Sequence, residues 1–261
     1  MKKIKFTKMV ASGNDFVVVE NNKLSVKAVC DRKFGIGADG LLVLGKSRVA
    51  DIKMRIFNAD GSEAEMCGNG ARCAAFYTSF QSSHPKQVSI ETKAGIIKAE
   101  VSKDIVKIKL TEPKGLALDI PLKVNGRVIR VNFINTGVPH AVIFVSGAGR
   151  IDVNGIGRAI RYHKRFSPAG TNVNFVEPIV KDTIQIRTYE RGVEGETLAC
   201  GTGSTASALI FALKNGVDKL VKVRTESKEV LKVYFKKEEN RFEDVWLEGK
   251  AKIVYKGEYN V

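Results

Sequence analysis

The chain is 261 residues long, 44% hydrophobic and 27% charged, a balance that excludes a disordered protein and allows one large domain or two of ordinary size. No apolar run approaches the roughly 20 residues of a membrane span. The basic opening Met1-Lys2-Lys3-Ile4-Lys5-Phe6 alternates like a strand and does not lead into a signal-peptide core, so a cytoplasmic protein without a membrane partner is expected. The formal net charge of +15 raises nucleic acid as a partner. Against this, the lysines are scattered along alternating segments such as Ile96-Ile97-Lys98-Ala99-Glu100-Val101 and Val221-Lys222-Val223-Arg224, as on the solvated faces of strands, and the run Lys236-Lys237 is followed by Glu238-Glu239.

Along the chain, short alternating segments predict strands, and two stretches break the pattern. The first runs from Cys67-Gly68-Asn69-Gly70 into a helix over Gly70 to Phe80; the second runs from Cys200-Gly201-Thr202-Gly203 into a helix over Gly203 to Asn215, with Gly216 as its C-cap. Both helices are apolar or small nearly all round, as expected of helices buried inside a domain. The two stretches are copies. Glu65 to Ala75 resembles Leu198 to Ala208 at an offset of 133, and Val88-Ser89-Ile90-Glu91-Thr92 falls on Val221-Lys222-Val223-Arg224-Thr225 at the same offset. Arg32-Lys33-Phe34 aligns with Lys164-Arg165-Phe166 at 132, and Gly13 to Val18 resembles Gly137 to Val142 more weakly at 124.

An offset held through a helix and the following strand indicates duplication. The expected fold is therefore α+β: two homologous, pseudo-twofold-related domains, each a mixed, mainly antiparallel sheet wrapped around a central helix. The seam is placed near Glu112-Pro113-Lys114-Gly115. The domains would cover residues 1–114 and 115–249, with 250–261 returning to the first.

None of the four cysteines (Cys30, Cys67, Cys73 and Cys200) forms a Cys-x-x-Cys pair, and there are only three histidines (His84, His140 and His163), so no metal site is expected. Cys30 and Cys73 read as buried small hydrophobes. Cys67 and Cys200 each precede Gly-x-Gly at a helix start, where unpaired N–H groups and the helix dipole favour a thiolate and bind anions. Gly-x-Gly could simply pack helix against strand, with each Cys a filler, and an inter-domain disulfide is a rival use of the pair. Duplication would bring the two thiols together across an inter-domain cleft. Inverting a stereocentre requires such an arrangement: one group takes the Cα proton from one face and the other delivers a proton to the opposite face. The helix N–H groups would stabilise the charge developing on the α-carboxylate, so no pyridoxal or other cofactor is expected.

Four segments carry a resemblance over essentially the whole chain. They are Gly13-Asn14-Asp15-Phe16; Asn58-Ala59-Asp60-Gly61-Ser62-Glu63 leading to Cys67; Thr171-Asn172-Val173-Asn174-Phe175; and Glu190-Arg191-Gly192-Val193-Glu194-Gly195-Glu196-Thr197 leading to Cys200. With these the chain resembles the diaminopimelate epimerases, which interconvert the LL and meso forms of a small-molecule amino-acid substrate in lysine biosynthesis. The resemblance implies that Cys67 and Cys200 are the acid/base thiols and that Gly68, Asn69, Gly201 and Thr202 cradle the reacting carboxylate. It also implies that Asn14, Asn58, Asn172, Glu190 and Arg191 contact the substrate, that His140, close to the reaction centre, and Glu190 count with the two thiols among the catalytic residues, and that the protein is a homodimer. The distal end of the substrate carries its own ammonium and carboxylate, which suits an acid, a fork-like cation and neutral amides.

Two positions depart from the family: Val138, where many members carry Asn before Pro-His, and Gly40, where some carry Gln. An epimerase for another amino acid, or a basic nucleic-acid-binding module, remains an alternative. A related isomerase of a phenazine precursor would share the architecture but is not expected to keep both cysteines.

Overall fold

The computed structural model describes residues 3–20, 24–81 and 86–260, so Met1, Lys2 and His84 lie outside the described residues. The chain divides into two compact units, Met1–Lys109 with Glu248–Val261, and Leu110–Leu247. The first contains β1 (Lys3–Ala11), β2 (Asn14–Glu20), α1 (Val26–Cys30), β3 (Gly40–Gly45), β4 (Ile52–Asn58), β5 (Glu63–Ala64), α2 (Gly68–Gln81), β6 (Gln87–Thr92), β7 (Gly95–Ser102) and β8 (Ile105–Lys109). The second contains β9 (Lys114–Val124), β10 (Arg127–Asn135), β11 (Pro139–Phe144), α3 (Val153–Arg161), β12 (Asn172–Val180), β13 (Thr183–Glu190), β14 (Gly195–Thr197), α4 (Gly201–Asn215), β15 (Leu220–Arg224) and β16 (Val230–Glu238). Strand β17 (Arg241–Lys250) runs past the division point, and β18 (Lys252–Asn260) belongs to the first unit.

The units share one internal topology. In the first, β18–β1–β2 is antiparallel, β2 pairs with β3 in parallel, β3 with β4 antiparallel, β4 with β6 in parallel, and β6 with β7 antiparallel. In the second, β9–β10–β11 is antiparallel, followed by β11 with β12 in parallel, β12 with β13 antiparallel, β13 with β15 in parallel, and β15 with β16 antiparallel. Each unit hangs one short strand on the strand before its central helix, β5 on β4 and β14 on β13. The fold class is α+β with mainly antiparallel sheet, as expected from the alternating segments.

The strand patterning follows burial: in β7, Ile97, Ala99 and Val101 turn inward while Lys98 and Glu100 face out. Helix α2 packs against strands of the first unit, including β1, β6, β7 and β8, and α4 packs against β10 through β13, β15 and β16 of the second. Wrapped in this way, α4 buries Leu209, Ile210 and Phe211 completely, each contributing about 1.5–3 kcal/mol of transfer free energy. Gly216 closes it in the left-handed conformation at φ 65°, its N–H bonded to the Ala212 carbonyl.

Two features differ from the expectation. Both central helices start two residues earlier, at Gly68 and Gly201, because the carbonyls of Cys67 and Cys200 already accept the first helical bonds from Ala71 and Ser204, each at 2.8 Å. The alternating pattern also predicts one helix per half, whereas α1 and α3 supply the connections between the parallel neighbours β2 and β3 and β11 and β12. Helix α1 is only five residues long, too short for a period to show, and is capped by the Ser25 hydroxyl. In α3 the Asp152 carboxylate caps the first turn, and the interior glycines hide the pattern. Gly157 is there for packing, since a Cβ would stand 2.6 Å from Cβ of Tyr189.

Candidate active site

In the first unit, Cys67 occupies the position before the first turn of α2 and is half-buried. Its Sγ lies 4.0 Å from Asn14 Oδ1. Asn14 is aimed by a charge cluster behind it. Its Nδ2 donates to Asp39 at 2.8 Å, Asp39 accepts from Arg32 at 2.6 Å, and Arg32 also donates to Asp15 at 2.8 Å. The buried Lys8 pairs with Asp15 at 2.7 Å and donates to the Gly37 carbonyl. Burial alone would raise the Asp15 carboxyl, but the bonds from Arg32 and Lys8 outweigh it and hold the group well below the usual carboxylate range.

Asn69, one residue into α2, is buried and accepts from Arg72 Nη2 at 2.8 Å; the same nitrogen donates to Ser12 Oγ at 2.8 Å. Arg72 is thus a fully buried cation one turn into the helix that Cys67 opens. Asn58 sits in a tight turn, its Nδ2 donating to Ser62 Oγ at 3.0 Å and its carbonyl accepting from Gly61 N at 2.9 Å. Gly40 pairs with Asn58 across the sheet, and a Cβ there would stand 2.7 Å from the Phe57 carbonyl, so this backbone admits no longer residue. Cys30 and Cys73 are both buried, and burial pushes the Cys30 thiol up to about 11.

In the second unit, Cys200 is the N-cap of α4, buried, with Sγ 3.5 Å from Thr202 Oγ1. The Thr202 carbonyl accepts from Thr136 Oγ1 at 3.0 Å. Asn172, also buried, staples two segments together: its Nδ2 donates to the Pro139 carbonyl at 3.1 Å, and its Oδ1 accepts from Arg191 N at 2.8 Å. His140 pairs with Asn172 across β11 and β12. Asn172, Arg191, Pro139 and His140 are therefore brought together.

Glu190 and Arg191 do not simply pair with each other on the surface. Glu190 accepts from Thr197 Oγ1 at 3.0 Å, and Arg191 Nη1 donates to the Ala169 carbonyl at 3.2 Å. Burial raises the Glu190 carboxyl above its ordinary value, against the opposing effect of the Thr197 bond. Burial, with the nearby Arg191 charge, drives the fully buried His140 down to about 3, so its ring is neutral.

Sequence reasoning passed over Asn174, Arg72, Lys8 and the Arg32–Asp39 cluster. Asn174 did leave a signal: two asparagines two residues apart inside an otherwise apolar strand share one face of it. Among the described residues, no group of three or more His, Cys, Asp or Glu is placed to hold a metal ion, and no helix is long and apolar enough to cross a membrane.

The family model described as diaminopimelate epimerase matches residues 6–114 and 132–254. A diaminopimelate epimerase of Aquifex aeolicus is 44% identical over 274 residues, covering 97% of each chain. Among solved structures, a Bacillus anthracis phenazine biosynthesis protein of the PhzF family superposes with a TM-score of 0.78 at 17% identity, covering all of both chains. A probable proline racemase of Agrobacterium radiobacter superposes with a TM-score of 0.75 at 15% identity, covering 99% of this chain and 92% of the other. These two likenesses are of fold, whereas the family match and the relative at 44% identity reach further: the chain belongs to the diaminopimelate epimerase family.

Proposed function

We propose that this isomerase interconverts LL- and meso-2,6-diaminopimelate by direct proton transfer at Cα between Cys67 and Cys200. The family supplies the reaction and its place in lysine biosynthesis. The observation that carries the chemistry is the repetition of one arrangement. Each cysteine immediately precedes a buried central helix that begins at a glycine, at the same point of the same strand order in each unit.

The chemistry balances without any other group. One cysteine, as thiolate, removes the Cα proton and becomes a thiol. The electron pair left on Cα spreads into the carboxylate, and the other cysteine, as thiol, delivers its proton to the opposite face and becomes the thiolate. Which sulfur starts with the proton depends on the enantiomer bound. The first-turn N–H groups at Gly68 and Asn69 and at Gly201 and Thr202, which have no helical carbonyl before them to bond, meet the carboxylate where charge develops, and one such donor is worth about 100- to 1,000-fold in rate.

Asn14, Asn58, Asn172, Glu190 and Arg191 bind the rest of the substrate, with His140 beside the reacting centre. Glu190 meets the distal ammonium, and the guanidinium donors of Arg191 not used by Ala169 meet a carboxylate. Val138 and Gly40 remove two polar contacts without touching the thiols. The family resemblance further supports a cytoplasmic homodimer, with the basic charge serving solubility and not nucleic-acid binding.

Incubation with LL-diaminopimelate in deuterated water tests this. Exchange of the α-hydrogen with appearance of the meso form is expected, and its loss in both Cys67→Ala and Cys200→Ala with the fold retained. Turnover of a different amino acid alone would move the assignment to another epimerase, and near-normal turnover in either single variant would end the two-thiol scheme.

A further inference from the structure

In the second unit two buried side-chain atoms that can donate, His140 Nε2 and Ser207 Oγ, have no hydrogen-bond partner among the described residues, and the histidine is the one set beside the cysteine turn. His140 Nδ1 lies 3.1 Å from Asn174 Nδ2. Only one orientation of that amide fits its neighbours. Asn174 Nδ2 also lies 3.3 Å from the Ala141 carbonyl oxygen, which can only accept, and Asn174 Oδ1 receives the Thr188 hydroxyl at 3.0 Å. With Nδ2 donating, His140 Nδ1 must accept, so the ring proton sits on Nε2. Nε2 has no hydrogen-bond partner among the described residues. Buried polar groups are nearly always satisfied, so a buried N–H held rigidly without an acceptor marks a place for one to arrive.

The same amide abuts the turn that carries Cys200. A Cβ on Gly203 would stand 2.3 Å from Asn174 Oδ1 and 3.3 Å from Cys200 Cβ. The relay from Thr188 through Asn174 to His140 thus runs against the first turn of α4, and glycine at position 203 leaves the room for it.

We propose that Asn174 is a positioning residue that locks His140 as the neutral Nε2–H tautomer, so that His140 offers a fixed hydrogen-bond donor to a carboxylate oxygen of the bound amino acid and carries no proton to or from Cα. The ligand half of this rests on the epimerase reading; the tautomer does not. The depressed basicity of the ring agrees with a group that stays neutral through turnover.

Nitrogen NMR of the full chain labelled with ¹⁵N-histidine tests it, with His140 assigned by its absence in His140→Gln. In the ligand-free protein, His140 Nδ1 should appear unprotonated and Nε2 protonated. A protonated Nδ1 overturns the proposal, whatever the activity. On adding meso-diaminopimelate, the Nε2 resonance should move while Nδ1 stays; bound substrate with an unmoved Nε2 also overturns it. If the amino acid does not bind at all, the epimerase reading falls while the tautomer is still read.

Asn174→Asp supplies the variant. It places an acceptor at the same position, so Nδ1 should gain the proton, and kcat should fall about 100-fold, as on removing one donor aimed at developing charge, with KM nearly unchanged. Full turnover with the tautomer flipped, or lost turnover with it unflipped, overturns the proposal.

Discussion

Asn14 faces Cys67 with its carbonyl oxygen, 4.0 Å from the sulfur, because its amide nitrogen is held by Asp39 at 2.8 Å. Asp39 therefore orients a group that meets the thiol without meeting it itself. Asp39→Ala should release the Asn14 rotamer and lower kcat/KM by about 10- to 100-fold, the usual effect of removing an orienting partner. Its effect on stability should stay small, since Asp39 is two-fifths exposed and screened by solvent. Steady-state kinetics beside thermal melts separate the two; a large drop in melting temperature with unchanged kcat/KM would show that Asp39 supports the fold and not the thiol.

The equivalent glycines Gly70 and Gly203 should respond differently to the same change. A Cβ on Gly70 meets the terminal methyls of Ile56 at 3.0 Å and Leu42 at 3.2 Å, which can swing aside. Alanine also recovers up to about 1 kcal/mol of helix propensity, so Gly70→Ala should lie within about 1 kcal/mol of the parent. A Cβ on Gly203 meets Asn174 Oδ1 at 2.3 Å, and that amide cannot move without breaking its bonds to Thr188, Ala141 and His140. Gly203→Ala should cost about 2–4 kcal/mol, from overpacking plus unmade buried bonds. Urea denaturation of the two variants checks this, and equal midpoints would contradict it.

Burial of His140 makes stability depend on pH above the carboxylate range. The folded ring titrates near 3 and the unfolded ring near its ordinary 6.5, so between these values the unfolded chain binds one more proton. Stability is therefore full above 6.5 and is lost as pH falls, at about 1.4 kcal/mol per pH unit, or roughly 2 kcal/mol from pH 6.5 to 5. The depressed carboxyls Asp15 and Glu63 add their losses only below their own ordinary values of 3.8 and 4.5. Urea midpoints at pH 5 and 7 should converge in His140→Gln; an undiminished slope in that variant would place the proton uptake elsewhere.

The architecture was legible because duplication and alternation are written directly into residue order. The 133-residue offset ties α2 to α4 and β6 to β15, and Gly70 and Gly203 place each helix start within two residues of the observed Gly68 and Gly201. What could not be read are contacts between residues far apart in the chain. Nothing near Lys8 says that it is buried against Asp15, nor does the Thr-Asn-Val-Asn-Phe run say that Asn172 holds Arg191 while Asn174 holds His140. Those pairings arise only when β11, β12 and β13 lie side by side. The short helices α1 and α3 escaped for a local reason: one is five residues long, and the other has glycines where a period would show.

Glu190 is where function and stability should pull in opposite directions. Burial raises its carboxyl, so the folded chain holds this proton more tightly than the unfolded one does. The sign follows: the group is harmless below the ordinary value of 4.5 and destabilises the fold increasingly as pH rises above it. Glutamine keeps an oxygen for the Thr197 hydroxyl, which donates at 3.0 Å, and removes the charge. Glu190→Gln should therefore be more stable than the parent at pH 7 by about 1 kcal/mol, the usual scale of relief when a strained functional site is neutralised. If the carboxylate binds the distal ammonium, the same variant should lose about 100-fold in kcat/KM, near the 2–5 kcal/mol cost of truncating a buried charge pair. Melting temperature and kinetics on one preparation decide it. A variant both less stable and fully active would mean that Glu190 serves the fold through Thr197 and leaves the substrate alone.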